Sequence, residues 1–192
     1  MRVIRNLFAL IGVVAVIAAA VAVVKTRTVL DGFDPGAVQV YRELAGKIVE
    51  TRNAAEAAVW KVPVEEGLTP EDVELSMKTV ANELNISNVG ELPLYKDVEA
   101  KSGQQYRFVK IYMFCNSLTA ARMLDYSDAF SAYLPCRITL VEDKQGQLWL
   151  YALNMDLMIH GGEPLPAALK EEALQVKKVI LEIMRRGAAG DF

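Results

Sequence analysis

Eighteen consecutive residues, Leu7 to Val24, carry no charge and are rich in Ala and Val. At about 1.5 Å rise per residue a helix of that length spans roughly 27 Å, close to the ~30 Å hydrocarbon core of a bilayer. The run predicts one membrane-spanning helix, residues 1–25, with Leu7, Val14 and Val24 marking its beginning, middle and end. Arg2 and Arg5 precede it and Lys25 and Arg27 follow. The terminal amine breaks this tie toward an inside amino terminus. The alternative is a cleaved signal peptide, for which Ala18-Ala19-Ala20 and Ala20-Val21-Ala22 supply small-x-small sites. Because the apolar run continues past both sites and ends in basic residues, an uncleaved signal anchor is the preferred reading. Both readings put the remaining chain outside the cytoplasm, in the periplasm if the membrane is a bacterial inner membrane.

From Lys25 onward, 19 basic residues face 24 acidic ones, and no basic tract stands out. Clustered Lys and Arg are needed to displace counterions from phosphates, so a nucleic-acid partner is not expected. The remaining length suits one ordinary core. Residues 26–56 read as a tether followed by an amphipathic helix. Asp34-Pro35 supplies an N-cap and a first-turn proline, and Val38, Tyr41, Ala45 and Ile48 form an apolar stripe that ends near Asn53. The polar face mixes Arg42 and Lys47 with Glu43 and Glu50, which suits docking on protein better than lying on lipid.

Residues 57–187 read as an α+β domain, with 188–192 as a flexible tail. A strand at Ala57–Val64 leads to a helix capped by Thr69-Pro70, whose inner face is Val73, Met77, Val80, Ala81 and Leu84. Ile86–Lys101 reads as a short strand and an exposed loop. In Tyr106–Cys115, Val109, Ile111, Met113 and Cys115 alternate with Phe108, Lys110, Tyr112 and Phe114. A helix from Ser117 to about Asp125 precedes a strand at Pro135–Glu142, where Cys136, Ile138 and Leu140 share a face. Asp143 to Gly146 has hairpin-loop chemistry, so Gln147–Leu153 should return antiparallel. The closing helix, Pro166 to about Arg186, turns Leu169, Ala173, Val176, Ile180 and Ile183 inward. The expected fold is a mainly antiparallel sheet with helices packed on one face, preceded by one transmembrane helix.

Phe114-Cys115-Asn116-Ser117-Leu118-Thr119-Ala120, Leu134-Pro135-Cys136-Arg137 through Asp143, and the hairpin to Leu153-Asn154-Met155-Asp156 resemble domain of unknown function family 302. The resemblance covers roughly Ala57 to Arg186. It implies a compact α+β domain and a tendency to dimerise, and it brings no established activity. The anchor and the helix from Asp34 lie outside it.

The cysteines carry the most chemical information. Cys115 sits where a strand hands over to a helix, whose first amides could favour a thiolate. Cys136 opens the following strand. If the two strands are antiparallel neighbours, both thiols lie at one end of the sheet, within reach of a disulfide; if parallel, they lie at opposite ends. The bland alternative is two small buried apolar residues. Cys115, Asn116, Cys136 and Arg137 are therefore the candidate redox or ligand site. A weaker candidate is a copper site from Met155, Met158 and His160, thioether and imidazole being copper ligands. The adjacent acidic pairs, such as Glu142-Asp143 and Glu171-Glu172, read as solvated caps and turns. With one histidine, no Cys-x-x-Cys and no phosphate loop, no enzymatic constellation assembles. The chain reads as a membrane-anchored accessory or binding domain that joins with itself or a larger membrane assembly, its cofactor and ligand unspecified. The alternative is a thiol-based redox or ligand-carrying module.

Overall fold

The computed structural model describes residues 2–191, with the side chains of residues 2–5 and of Leu7 outside the description. Helix α1, Arg2–Leu30, contains a stretch, Phe8–Leu30, long and apolar enough to cross a membrane, none of it buried by protein. The helix absorbs the predicted start of the tether. Lys25–Leu30 contains no Gly or Pro, and Thr28 donates its hydroxyl to the Val24 carbonyl at 3.0 Å without leaving the helix. The chain turns only at Asp31–Gly36, where Gly32 takes φ +102°.

Helix α2, Ala37–Thr51, ends at Arg52, and α3, Ala54–Ala57, is capped by Asn53. The sheet follows, with strands β1 (Val59–Pro63), β2 (Ser87–Leu92), β3 (Val109–Cys115), β4 (Cys136–Glu142) and β5 (Leu148–Leu153). Its order is β1-β5-β4-β3-β2, and every neighbouring pair is antiparallel. The remaining helices are α4 (Pro70–Glu83), α5 (Leu94–Ser102), α6 (Ser117–Tyr126), α7 (Asp156–His160) and α8 (Ala167–Ala189), with a 3-10 turn at Asp128–Ala132.

The pleat divides the sheet into unlike faces. Tyr112, Phe114, Ile138, Leu140, Leu150 and Ala152 point to one side and are buried beneath α4 and α8. Ile111, Met113, Thr139, Val141, Trp149 and Tyr151 point to the other and stay half-exposed, with the Lys61 ammonium 3.9 Å from the Trp149 ring centre. The two helices meet where Gly187 faces Met77: a Cβ on Gly187 would lie 2.4 Å from Met77 Cγ, so only glycine allows this approach.

The predicted loop after β2 is helix α5. It buries none of its residues fully: its inner stripe is only Leu94, Tyr95 and Val98, half-buried and too short to stand out, and a Lys101–Asp97 pair supports its exposed face. The predicted tail is docked. Ala188 is buried, Gly190 ends α8 in the left-handed conformation, and buried Ser76 donates to the carbonyls of Arg186 and Asp191.

Lys110 shares the buried face with Tyr112, and its charge is met by a ring of partners. Lys110 and Lys78 each contact both Glu74 and Glu91 at 2.5–2.7 Å, and Glu74 also accepts the Tyr112 hydroxyl. Burial works against ionisation of Glu91, but the two ammonium groups prevail and hold it down at about 2.

Asp34 is not a simple helix cap. Its side chain is 1% exposed and accepts from the Lys170 ammonium, from the Gly36 amide at 2.8 Å and from His160 Nδ1 at 3.0 Å. An ionised carboxylate can only accept, so Nδ1 carries the proton. The Asp34 amide donates to the Gly162 carbonyl, and the Tyr41 hydroxyl to that of Gly161 at 2.6 Å. A Cβ on Gly36 would lie 3.2 Å from both Asp34 Oδ1 and His160 Nδ1, which explains glycine there. This entry geometry rotates α2 away from its predicted docking. Ala37, Val40 and Leu44 face the domain, while Val38, Tyr41, Ala45 and Ile48 remain exposed. The 3.6-residue period allows either stripe, and the Asp34 contacts select between them.

Burial opposes the Asp34 charge, but Lys170, the Gly36 amide and His160 outweigh it and lower the carboxyl to about 2. A depressed carboxyl stabilises above its unfolded value, near 3.8, and loses that contribution as pH falls through 2. The contribution is on the order of 2 kcal/mol. Asp34→Asn should therefore reduce hydrogen-exchange protection of the Tyr41–Leu44 amides at pH 7 by at least tenfold, and in the unaltered chain protection should fade between pH 4 and 2. Equal protection in the variant would contradict this role.

Candidate functional site

Strand β3 pairs with β4 so that Phe114 lies opposite Cys136, which decides the strand direction left open above. Both cysteines are therefore at the same end of the sheet. Cys115 stands one position beyond the Phe114–Cys136 pair, so the alternation directs the two side chains toward different faces, and both thiols are free. Cys136 packs against the core; Cys115 is at the rim, where Asn116 begins α6 by accepting the Thr119 amide at 3.2 Å.

The end of the sheet does not close. Between it, α6, the 3-10 turn and α8 lies a pocket with about 60 Å³ of internal free volume. Phe114, Met123, Phe130, Ala173, Val176 and Ile180 supply most of its apolar wall. Cys115, Asn116, Cys136 and Arg137 all border it, as do Met155 and Met158. Of seven methionines and two cysteines in the chain, five border the pocket, which gives the wall a polarisable character. Among the described residues no carboxylate borders the pocket, and Arg137 is its one charged neighbour.

The copper set divides. Met155 and Met158 face the pocket, whereas the imidazole of His160 is engaged by Asp34. Glu172 also departs from the solvated role read for it: it takes two hydrogen bonds from Arg122 and one from Thr119, and so fastens α6 to α8 across the pocket wall. Val14 and Val24 lie on the exposed surface of α1.

The thiolate expectation meets an opposing environment. Burial raises the Cys115 thiol despite a hydrogen bond from Ser117. Burial, reinforced by the neighbouring Cys115, pushes Cys136 up to about 11. Both are therefore protonated near neutral pH and poor nucleophiles. What sequence reasoning missed is the Asp34–His160–Lys170 cluster, in which Asp34 lies more than a hundred residues from both partners.

The family model described as domain of unknown function, DUF302, matches residues 60–186, more than half of the chain. The chain belongs to this family. A crystal structure of an uncharacterized conserved DUF302 protein from Bacillus stearothermophilus has a TM-score of 0.54 and 17% identity, covering 67% of this chain and 96% of that one. The likeness extends to the fold. A comparison with curated proteins finds no match. Within this DUF302 chain, α1 and α2 lie outside the matched span, and the pocket lies almost wholly inside it.

Iodoacetamide at pH 7.5 should modify Cys115 and Cys136 at least tenfold more slowly in the native protein than in denaturant, with Cys136 the slower of the two. Native labelling of Cys115 at the denatured rate would show an activated thiol.

Proposed function

We propose that this chain is a membrane-anchored accessory domain, held outside the cytoplasm by α1, that binds a small apolar ligand in the pocket beside Cys115 and Cys136. The observation that carries the reading is the pocket itself: an apolar, sulfur-rich recess, free of carboxylates, at the sheet end where the sequence concentrates its distinctive residues. The uncovered sheet face, with Ile111, Val141 and Tyr151, is the surface through which the domain associates with itself or with a larger membrane assembly. A thiol-redox role has less support, because both thiols are held protonated.

Native protein should be recovered from the membrane fraction at its full 21.2 kDa and be reached by protease added to spheroplasts. A mature amino terminus at Val21 or Val23 would replace the anchor with a cleaved leader. Titration of the full chain with bromobenzene should shift the methyl resonances of Met123, Met155 and Met158 and leave Met77 unmoved; unchanged spectra would remove the pocket from the reading. Val141→Glu should lower the particle mass seen by light scattering, and an unchanged mass would exclude that face.

A further inference from the structure

A second cavity lies between α2, the turn from α3 into β1, and α7, with about 50 Å³ of internal free volume. Val40, Leu44 and Lys47 form its α2 wall. Its opposite wall includes Tyr133, Leu153 and Met158, and these same three residues border the inner pocket. The two cavities thus share part of one wall. Tyr133 and Leu153 are each more than 40% exposed, and side chains so placed change rotamer on the picosecond to nanosecond scale.

The outer cavity depends on α2, which the Asp34–Lys170–His160 contacts and the Tyr41–Gly161 bond hold against the domain. Only residues 31–36 separate α1 from α2, a connection that reaches at most about 25 Å. The α2 wall of the outer cavity therefore follows the apolar helix closely along the chain. Its rim carries Lys47 and Glu43, whereas the inner wall is apolar and without a carboxylate. A long apolar chain suits the inner part and a small polar head the outer one. A multiply charged head would meet Glu43 and Asp156 with no surplus of cations to balance it.

We propose that the two cavities form one crevice for a single-chain lipid, an acyl or isoprenoid chain with a small neutral or monoanionic head, taken from the bilayer that holds α1, with the chain in the inner pocket and the head under α2. This rests on the anchored-binding reading and names the ligand class of the same site.

The full chain in phosphatidylcholine nanodiscs, photolysed with a diazirine-bearing palmitate, tests it. Adducts on α1 report exposure to the bilayer and serve as the reference. Adducts are expected also at Leu44 and at Met123 or Met158, and excess unlabelled palmitate should reduce these at least fivefold while leaving the α1 adducts unchanged. Ala120→Trp, at a half-exposed position on α6, should remove the inner adducts, and Asp34→Asn those at Leu44. Competition in the unaltered chain keeps the test decisive should either variant fold poorly. Adducts confined to α1 would overturn the lipid assignment, and the bromobenzene response of the methionine methyls would then show whether the pocket reading survives. Adducts in the pocket that palmitate does not compete would equally overturn it.

Discussion

The pleat of β3, β4 and β5 assigns each of their side chains to one of two environments, and the remaining architecture follows from that division. On one side Tyr112, Ile138, Leu140 and Leu150 exclude water beneath α4 and α8, and this burial supplies the main driving force for the domain. Closeness at that interface depends on Gly187, because Met77 occupies the space a side chain would need. On the other side, residues hardly less apolar remain half-exposed, leaving a surface suited to association. The pocket forms where the covering helices stop matching the sheet: α8 continues past the end of β4 while α6 stands off, held by the Glu172 contacts.

Charge plays two separate parts. Around Lys110, two ammonium and two carboxylate groups compensate one another so that a cation can occupy the core-facing side of a strand. Removing one carboxylate would leave two partly buried ammonium groups sharing the other, an uncompensated charge that lowers stability. Around Asp34, a single buried carboxylate ties the segment next to α1 to α7 and α8. That tie makes α2 part of the domain's surface, and with it the outer cavity comes into being.

The fold was legible wherever burial imposed a period. The inner faces of α4 and α8, from Val73 to Leu84 and from Leu169 to Ile183, are buried or half-buried as their spacing requires, and the β4–β5 hairpin turns at the Asp143–Gly146 segment. Helix α5 was not legible, because its half-buried stripe is only Leu94, Tyr95 and Val98. Which stripe of α2 meets this domain was not legible, since Val38-Tyr41-Ala45-Ile48 and Ala37-Val40-Leu44 both satisfy helical spacing and only a contact distant in sequence distinguishes them. In the candidate site, Cys115, Asn116, Cys136 and Arg137 were chosen from their place at strand and helix ends, and the structure puts all four beside one pocket. The protonated state of the thiols was not visible in the sequence, because it depends on burial.

The sequence by itself determined the apolar length of α1, the order of the five strands, the capping of α4 and many of the residues that fill the core. These are properties of neighbouring residues, set by hydrophobic period, turn chemistry and the absence of charge. Tertiary structure alone decided that β3 and β4 run antiparallel, that the cysteines share one end of the sheet without a bond, and that His160 faces Asp34 instead of Met155 and Met158. Each of these is a meeting of groups far apart along the chain. Their distances follow from how the helices pack on the sheet, and no local spacing encodes that.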